Sequence, residues 1–309
     1  MRSFRKCTLL TTIFVYLVIF AGGLVRVAGA GLGCPDWPKC FGRWIPPTSI
    51  DQLPPDIDPA QFNIVLAWIE YTNRLVGVLV GFLIAGTAVW AIARFRQYKR
   101  IVLASIASAI LVAFQGWHGS VVVKSELAQS IVSVHYFLAL LIAGLMIFIY
   151  VQSYHLDKEN LKQNYSIPKD LRIWSIVLFI LAFTQIFLGT QIRAALESMA
   201  LLFPLLSDTE RLSNVGLINH VHLALGLTIA AITFVFSLRI RKVRDSIPPL
   251  VNYGSVLAAM LVLVQVALGS VFIIFGLIPQ VQLFHLSIAS LFLGVLFMIL
   301  SATFTKKED

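Results

Sequence analysis

This chain predicts an all-α, polytopic membrane protein of eight transmembrane helices, arranged as two pseudo-symmetric four-helix bundles. Three observations carry that expectation. The 309 residues are 58% hydrophobic and only 13% charged, more apolar surface than a water-soluble domain of this size can bury. Eight apolar stretches fall at about 8–28, 64–92, 101–122, 130–152, 172–194, 215–238, 251–274 and 281–303, each near or above the ~20 residues a helix needs to cross a bilayer. The second half also echoes the first. Gln115-x-x-x-Gly119-Ser120-Val121 reappears as Gln265-x-x-x-Gly269-Ser270-Val271, and a histidine follows each Gln by 20 residues, at His135 and His285. Ile19-Phe20-x-Gly22-x-x-Val25-Arg26 reappears as Ile186-Phe187-x-Gly189-x-x-Ile192-Arg193.

The first stretch follows Arg2, Arg5 and Lys6. It is too long, and too closely followed by further spans, for a cleaved secretory signal. It lacks the Ser-rich, Arg-rich amphipathic character of an organelle import leader, which favours a bacterial plasma membrane. A loop at about 29–63, rich in Pro and Gly and carrying Cys34 and Cys40, leads to the second stretch. Residues 1–153 form the first unit, 154–170 a polar linker containing Asp157-Lys158-Glu159-Asn160, and 171–309 the second unit, whose own outer loop falls at about 195–214.

With the N-terminus inside, the basic residues near the two termini, at 94–100, at 158–172 and at 239–244 share one side, 17 of the 24 in the chain. The positive-inside rule makes that side, with both termini, cytoplasmic. The net charge of +9 is then a topology signal with lipid-headgroup contacts. It is no nucleic-acid footprint, because the basic residues sit in short loops with no recognition fold. In this topology Glu70, Asn73, His135, His220, His222 and His285 all lie in about the first two turns of inward-running helices, and His118 near the outer end of the third. His155 falls in the linker and reads as a solvated loop residue.

Ionisable groups at one depth of a membrane bundle are costly to keep unless used, and facing imidazoles in a bundle interior suit a heme iron. His222 and His285 form the best pair for a six-coordinate site; hydrogen bonding to a neighbouring helix is the plainer account of either one. His220 and His222 cannot both face one iron, since two residues turn a helix by about 200°. His222 is preferred, because His222-Leu-Ala-Leu-Gly226 repeats the frame Asn73-Arg-Leu-Val-Gly77, and His220 stays as its alternate. Glu70 and Arg74 are spaced as an i,i+4 ion pair. A functional reading makes Glu70 a proton acceptor or charge stabiliser and pairs Arg74 with a heme propionate. Cys34 and Cys40 share an outer loop, where disulfides persist, and a disulfide between them is the preferred reading; the Cys-x5-Cys spacing alone does not fix it, and the loop has no further ligand such as His for a metal. Cys7 reads as an inert thiol.

These residues resemble the heme A synthase family along nearly the whole chain. The resemblance rests on Gly22-Gly23-Leu-Val-Arg26, the run from Gly31 through Cys34, Trp37 and Cys40 to Arg43, Glu70-Tyr-Thr-Asn-Arg74, Gln115 through Lys124, and the histidines at 135, 222 and 285. It implies a heme b cofactor between His222 and His285. It further implies a site in the first half where the methyl group of heme O is oxidised to the formyl of heme A, with Glu70, Arg74 and His135 as site residues and Cys34 and Cys40 as the family's outer-loop cysteines. A heme O synthase partner, an electron donor and homo-oligomeric assembly stay open.

One departure stands out. The family's second helix reads Glu-x-x-His-Arg, and here Asn73 occupies the histidine position. Three consequences are open: His135 alone holds the iron beside an open position, His118 replaces the missing ligand, or the first half is inactive. The last makes the protein a non-catalytic b-type cytochrome. A transporter is a weaker reading, since paired Gly/Pro breaks at mid-membrane are lacking.

Overall fold

The computed structural model describes residues 1–55, 57–156, 165 and 167–304. The linker run Asp157–Asn160 and the basic pair Lys306–Lys307 lie outside the described residues. The helices are α1 (Arg2–Val27), α2 (Ile64–Arg94), α3 (Lys99–Lys124), α4 (Gln129–His155), α5 (Lys169–Leu202), α6 (Asp208–Asn214), α7 (Leu217–Lys242), α8 (Pro249–Phe275) and α9 (Pro279–Phe304). All but α6 are long and apolar enough to cross a membrane, and no strand occurs among the described residues. The protein is an all-helical, multi-pass membrane protein.

Local chemistry sets the helix boundaries. Asn63 caps α2 by accepting from the Val65 and Leu66 amides at 3.0 and 3.2 Å, and Pro249 starts α8 at a position where no amide hydrogen is needed. Within the spans, hydroxyls satisfy themselves on the preceding turn: Thr8 donates to the Phe4 carbonyl, Ser105 to Ile101 and Ser175 to Leu171. Without water, such back-bonding is how a buried hydroxyl avoids an unpaired group. Large apolar side chains such as Phe82, Leu103, Ile110 and Leu263 face outward, as lipid contact requires.

Several boundaries differ from the sequence expectation, those of the fourth and fifth helices with consequences for the site. The fifth helix continues to Leu202, eight residues beyond the expected end at 194. The run from Ala194 to Leu202 is made of strong helix formers, Glu197 accepts from Arg193 Nε one turn back at 2.6 Å, and Pro204 marks the stop. The expected loop beyond it contains α6, started by a capping box between Ser207 and Glu210. His155, expected in the linker, is the last residue of α4 and only partly exposed, its ring edge-on to Tyr154.

The chain divides into two compact units, Ser3–Ile149 and Tyr150–Asp309 with Met1–Arg2. In the first, α1 packs on α2 through Phe4 on Trp90 and the Thr11–Thr87 hydroxyl pair, and α2 packs on α3. In the second, α5 and α8 each pack against both α7 and α9. That ring sets α7 and α9 diagonally across the bundle, so residues on their inner faces look at each other across its interior.

Candidate functional site

Three histidines occupy the same built seat. The Gln115 amide donates to the His135 carbonyl at 2.9 Å, Gln185 to that of His222 at 2.9 Å, and Gln265 to that of His285 at 2.6 Å. One turn past each glutamine stands a glycine. A Cβ built on Gly119, Gly189 or Gly269 would lie 3.6, 3.4 and 3.7 Å from Cε1 of His135, His222 and His285 respectively. Each imidazole thus lies against bare backbone of the preceding spanning helix, while the amide pins the backbone that carries it. Gln185 was not singled out in the sequence, although with Gly189, already part of the Ile186–Arg193 echo, it shares the Gln-x-x-x-Gly spacing of the other two pairs.

The fourth quarter of the repeat has neither the glutamine nor the histidine. Gly226 sits beside the Gln185 amide, where a Cβ would stand 3.0 Å from Nε2; its counterpart Gly77 sits beside Val18 Cγ2 at 4.0 Å. Val18 therefore stands where the other quarters have glutamine, and Asn73 where they have histidine. The Asn73 Oδ1 is buried without a partner.

In the second unit, His222 and His285 project from the diagonal helices and lie within electrostatic reach of each other. Neither Nδ1 has a hydrogen-bond partner, and both are buried. His220 is exposed, so of the two alternates His222 is the one seated inside. Two largely buried imidazoles, pinned on opposite helices and laid on glycines that leave room for a flat ring, fit a heme held by two histidines. In the first unit, His118 is 6% exposed and lies beside His135, with the ring centroids 5.5 Å apart, the ring planes at 20° and the two Nδ1 atoms 3.3 Å apart. The structure brings His118 to the side of His135 rather than to the opposite, Asn73-bearing helix.

Glu70 and Arg74 organise the outer loop. Glu70 is 4% exposed and accepts from the Cys34 amide at 2.8 Å through one oxygen and from Arg74 through the other. Arg74 also donates to the carbonyls of Asp36 (2.8 Å), Lys39 (2.8 Å) and Cys34 (3.3 Å). Only a guanidinium fork can span those four acceptors. Cys34 and Cys40 are bonded to each other and form, with Phe41 and Ala67, a small core over the start of α2. The close approach requires Gly33, where a Cβ would fall 2.5 Å from the Leu66 carbonyl group. Gly33→Ala is expected to lift the loop from α2, which faster reduction and alkylation of Cys34 and Cys40 would register; unchanged thiol protection would refute the close packing.

The glutamine anchors give a second prediction. Gln185→Leu or Gln265→Leu removes one interhelical bond, so a stability loss of only about 1 kcal/mol is expected, with a changed spectrum for any heme seated on the freed histidine. A thermal melt followed at the heme absorption band measures both.

Fold and site together define a multi-pass membrane protein that repeats one histidine seat in quarters. The sequence profile of COX15-CtaA, described as cytochrome oxidase assembly protein, matches residues 5–297. The chain belongs to that family. It is similar to a heme A synthase of Geobacillus kaustophilus, 25% identical over 311 residues that cover 99% of this chain and 93% of the relative. It is likewise similar to one of Exiguobacterium sibiricum, 23% identical over 96% of this chain and 95% of the relative. A heme A synthase of Alkalihalophilus pseudofirmus matches at 29% over half of this chain and 47% of the relative.

Proposed function

We propose that this protein is a heme A synthase of the bacterial plasma membrane, oxidising a methyl group of heme O to the formyl group of heme A. This is a four-electron oxidation of the carbon by two successive hydroxylations, through the hydroxymethyl to a gem-diol that loses water to the aldehyde, with an oxidant supplied from outside this chain. The observation that carries the reading is the three-fold Gln–Gly–His seat, two copies of which face across the second bundle while one stands alone in the first. The relatives named heme A synthase, similar along nearly the whole chain, support it.

In the second bundle, His222 and His285 hold heme b, which supplies one-electron transfer when bound. In the first, His135 holds the iron of the substrate heme O on one side. Asn73 on the opposite side is a poor iron ligand, so that side stays open, as an oxidising centre requires. Glu70 lies one turn before Asn73 on the same helix, fixed by the Cys34 amide and by Arg74. There it stabilises positive charge or accepts a proton during the oxidation. Arg74 positions Glu70 and the disulfide loop, and meeting a propionate would require it to exchange one of those partners. By the positive-inside count both termini are cytoplasmic and the seats lie near the outer face.

The paired replacement of the glutamine by Val18 and of the histidine by Asn73 favours one other reading, a non-catalytic b-type cytochrome with heme in its second half only. Co-expression with a heme O source in a host that makes no heme A separates the two. Heme A or hydroxylated heme O in the extracted pigments is expected. Bound heme b with heme O unchanged would establish the cytochrome.

A further inference from the structure

The three seats differ in one respect. The Nδ1 atoms of His222 and His285 are buried without a partner, whereas Nδ1 of His135 is hydrogen-bonded to Nδ1 of His118 at 3.3 Å. The difference lies in the sequence of the helices that carry the glutamines. Three residues past the anchoring glutamine stands His118 in α3, but Leu188 in α5 and Leu268 in α8. His118 is thus a feature of one seat, the one whose opposite side carries Asn73.

A hydrogen bond between two Nδ1 atoms admits one proton. If His118 donates it, the neutral His135 carries its own hydrogen on Nε2 and has no lone pair there. If His135 donates, its Nε2 is bare and ready to bind a metal, while His118 carries its hydrogen on Nε2. Iron binding at His135 therefore selects the second arrangement. We infer that His118 is a positioning residue: it accepts the Nδ1 proton of His135, fixes the tautomer whose Nε2 meets the substrate iron, and makes that imidazole a stronger donor. Such partners of metal-bound histidines orient the ring and raise its basicity. A single-histidine iron has the most use for this, because no second imidazole shares the donation. The two rings are within 20° of parallel with centroids 5.5 Å apart, as a bond lying in the ring planes requires, and Phe114 and Trp117 flank His118 at 6.0 and 6.5 Å and hold the acceptor in place.

The inference rests on the reading that His135 binds the heme O iron, and the test separates the two. The full-length protein, loaded with heme O, is compared with His118→Leu, His118→Asn and His135→Ala by resonance Raman of the ferrous iron–histidine stretch and by redox titration. Leucine is what the other seats carry, and asparagine offers an oxygen close to the position of Nδ1. The expected result is a lower stretching frequency and a more positive midpoint potential in His118→Leu, with heme O held about 10-fold more weakly. His118→Asn should restore all three, and the second-bundle heme should be unchanged in both. If His118→Leu leaves frequency, potential and retention at the wild-type values while His135→Ala abolishes the signal, His118 has no positioning role and the His135 assignment stands. If His135→Ala leaves the signal intact, the iron is not on His135 and both fall.

Discussion

Replacing His222 or His285 by alanine is expected to remove the second-bundle heme and, with it, product formation. The two imidazoles come from the diagonal helices α7 and α9, and within that bundle His220 is exposed and cannot substitute. On the proposed ligation, either substitution takes away one of the two imidazoles that would hold the iron and leaves an unfilled seat over glycine. Heme retention should fall at least ~100-fold, the upper end of what even an outer partner of a metal ligand costs. Because the glutamine anchors bond to the histidine carbonyl rather than to the ring, the backbone of either variant keeps its interhelical contact and the bundle should still form. His220→Ala should change neither heme content nor product. A low-spin heme signal surviving in His222→Ala would contradict the assignment.

Arg74→Ala carries the second large effect. It strips the buried Glu70 of its cation and leaves the carbonyls of Cys34, Asp36 and Lys39 without their shared donor. Breaking a buried pair from one side costs about 3–5 kcal/mol, because the remaining charge is left uncompensated. A lysine cannot reproduce the fork, so Arg74→Lys should recover little. Adding Glu70→Gln to Arg74→Ala removes the stranded charge and should restore much of the thermal stability. Product should stay absent in the double variant if the carboxylate takes part in the oxidation. Full product from Glu70→Gln alone would confine Glu70 to holding the loop.

The residues show where the sequence was informative. The eight spans follow from hydropathy, and the Gln115 and Gln265 frames stand out because each lies 20 residues before its histidine within one helical hairpin. Gln185 lies 37 residues before His222, with the outer segment between them, so no fixed spacing advertised it. His118 and His135 are 17 residues apart, and whether their rings meet depends on how α3 and α4 rotate about their axes, which apolar composition on all faces does not specify. Arg74 illustrates a different limit. Its pairing with Glu70 was legible as i,i+4 spacing, but its bonds to the loop depend on an irregular backbone whose carbonyls converge only after Asp36 accepts from the amides of Phe41 and Gly42.

In the proposed function the two bundles hold heme differently, one between two histidines and one on His135 with an open face. Electron paramagnetic resonance of the oxidised, purified protein loaded with heme O tests it most directly. One low-spin signal that disappears in His222→Ala and one high-spin signal that disappears in His135→Ala are expected. Two low-spin signals, or a single signal insensitive to His135→Ala, would contradict it.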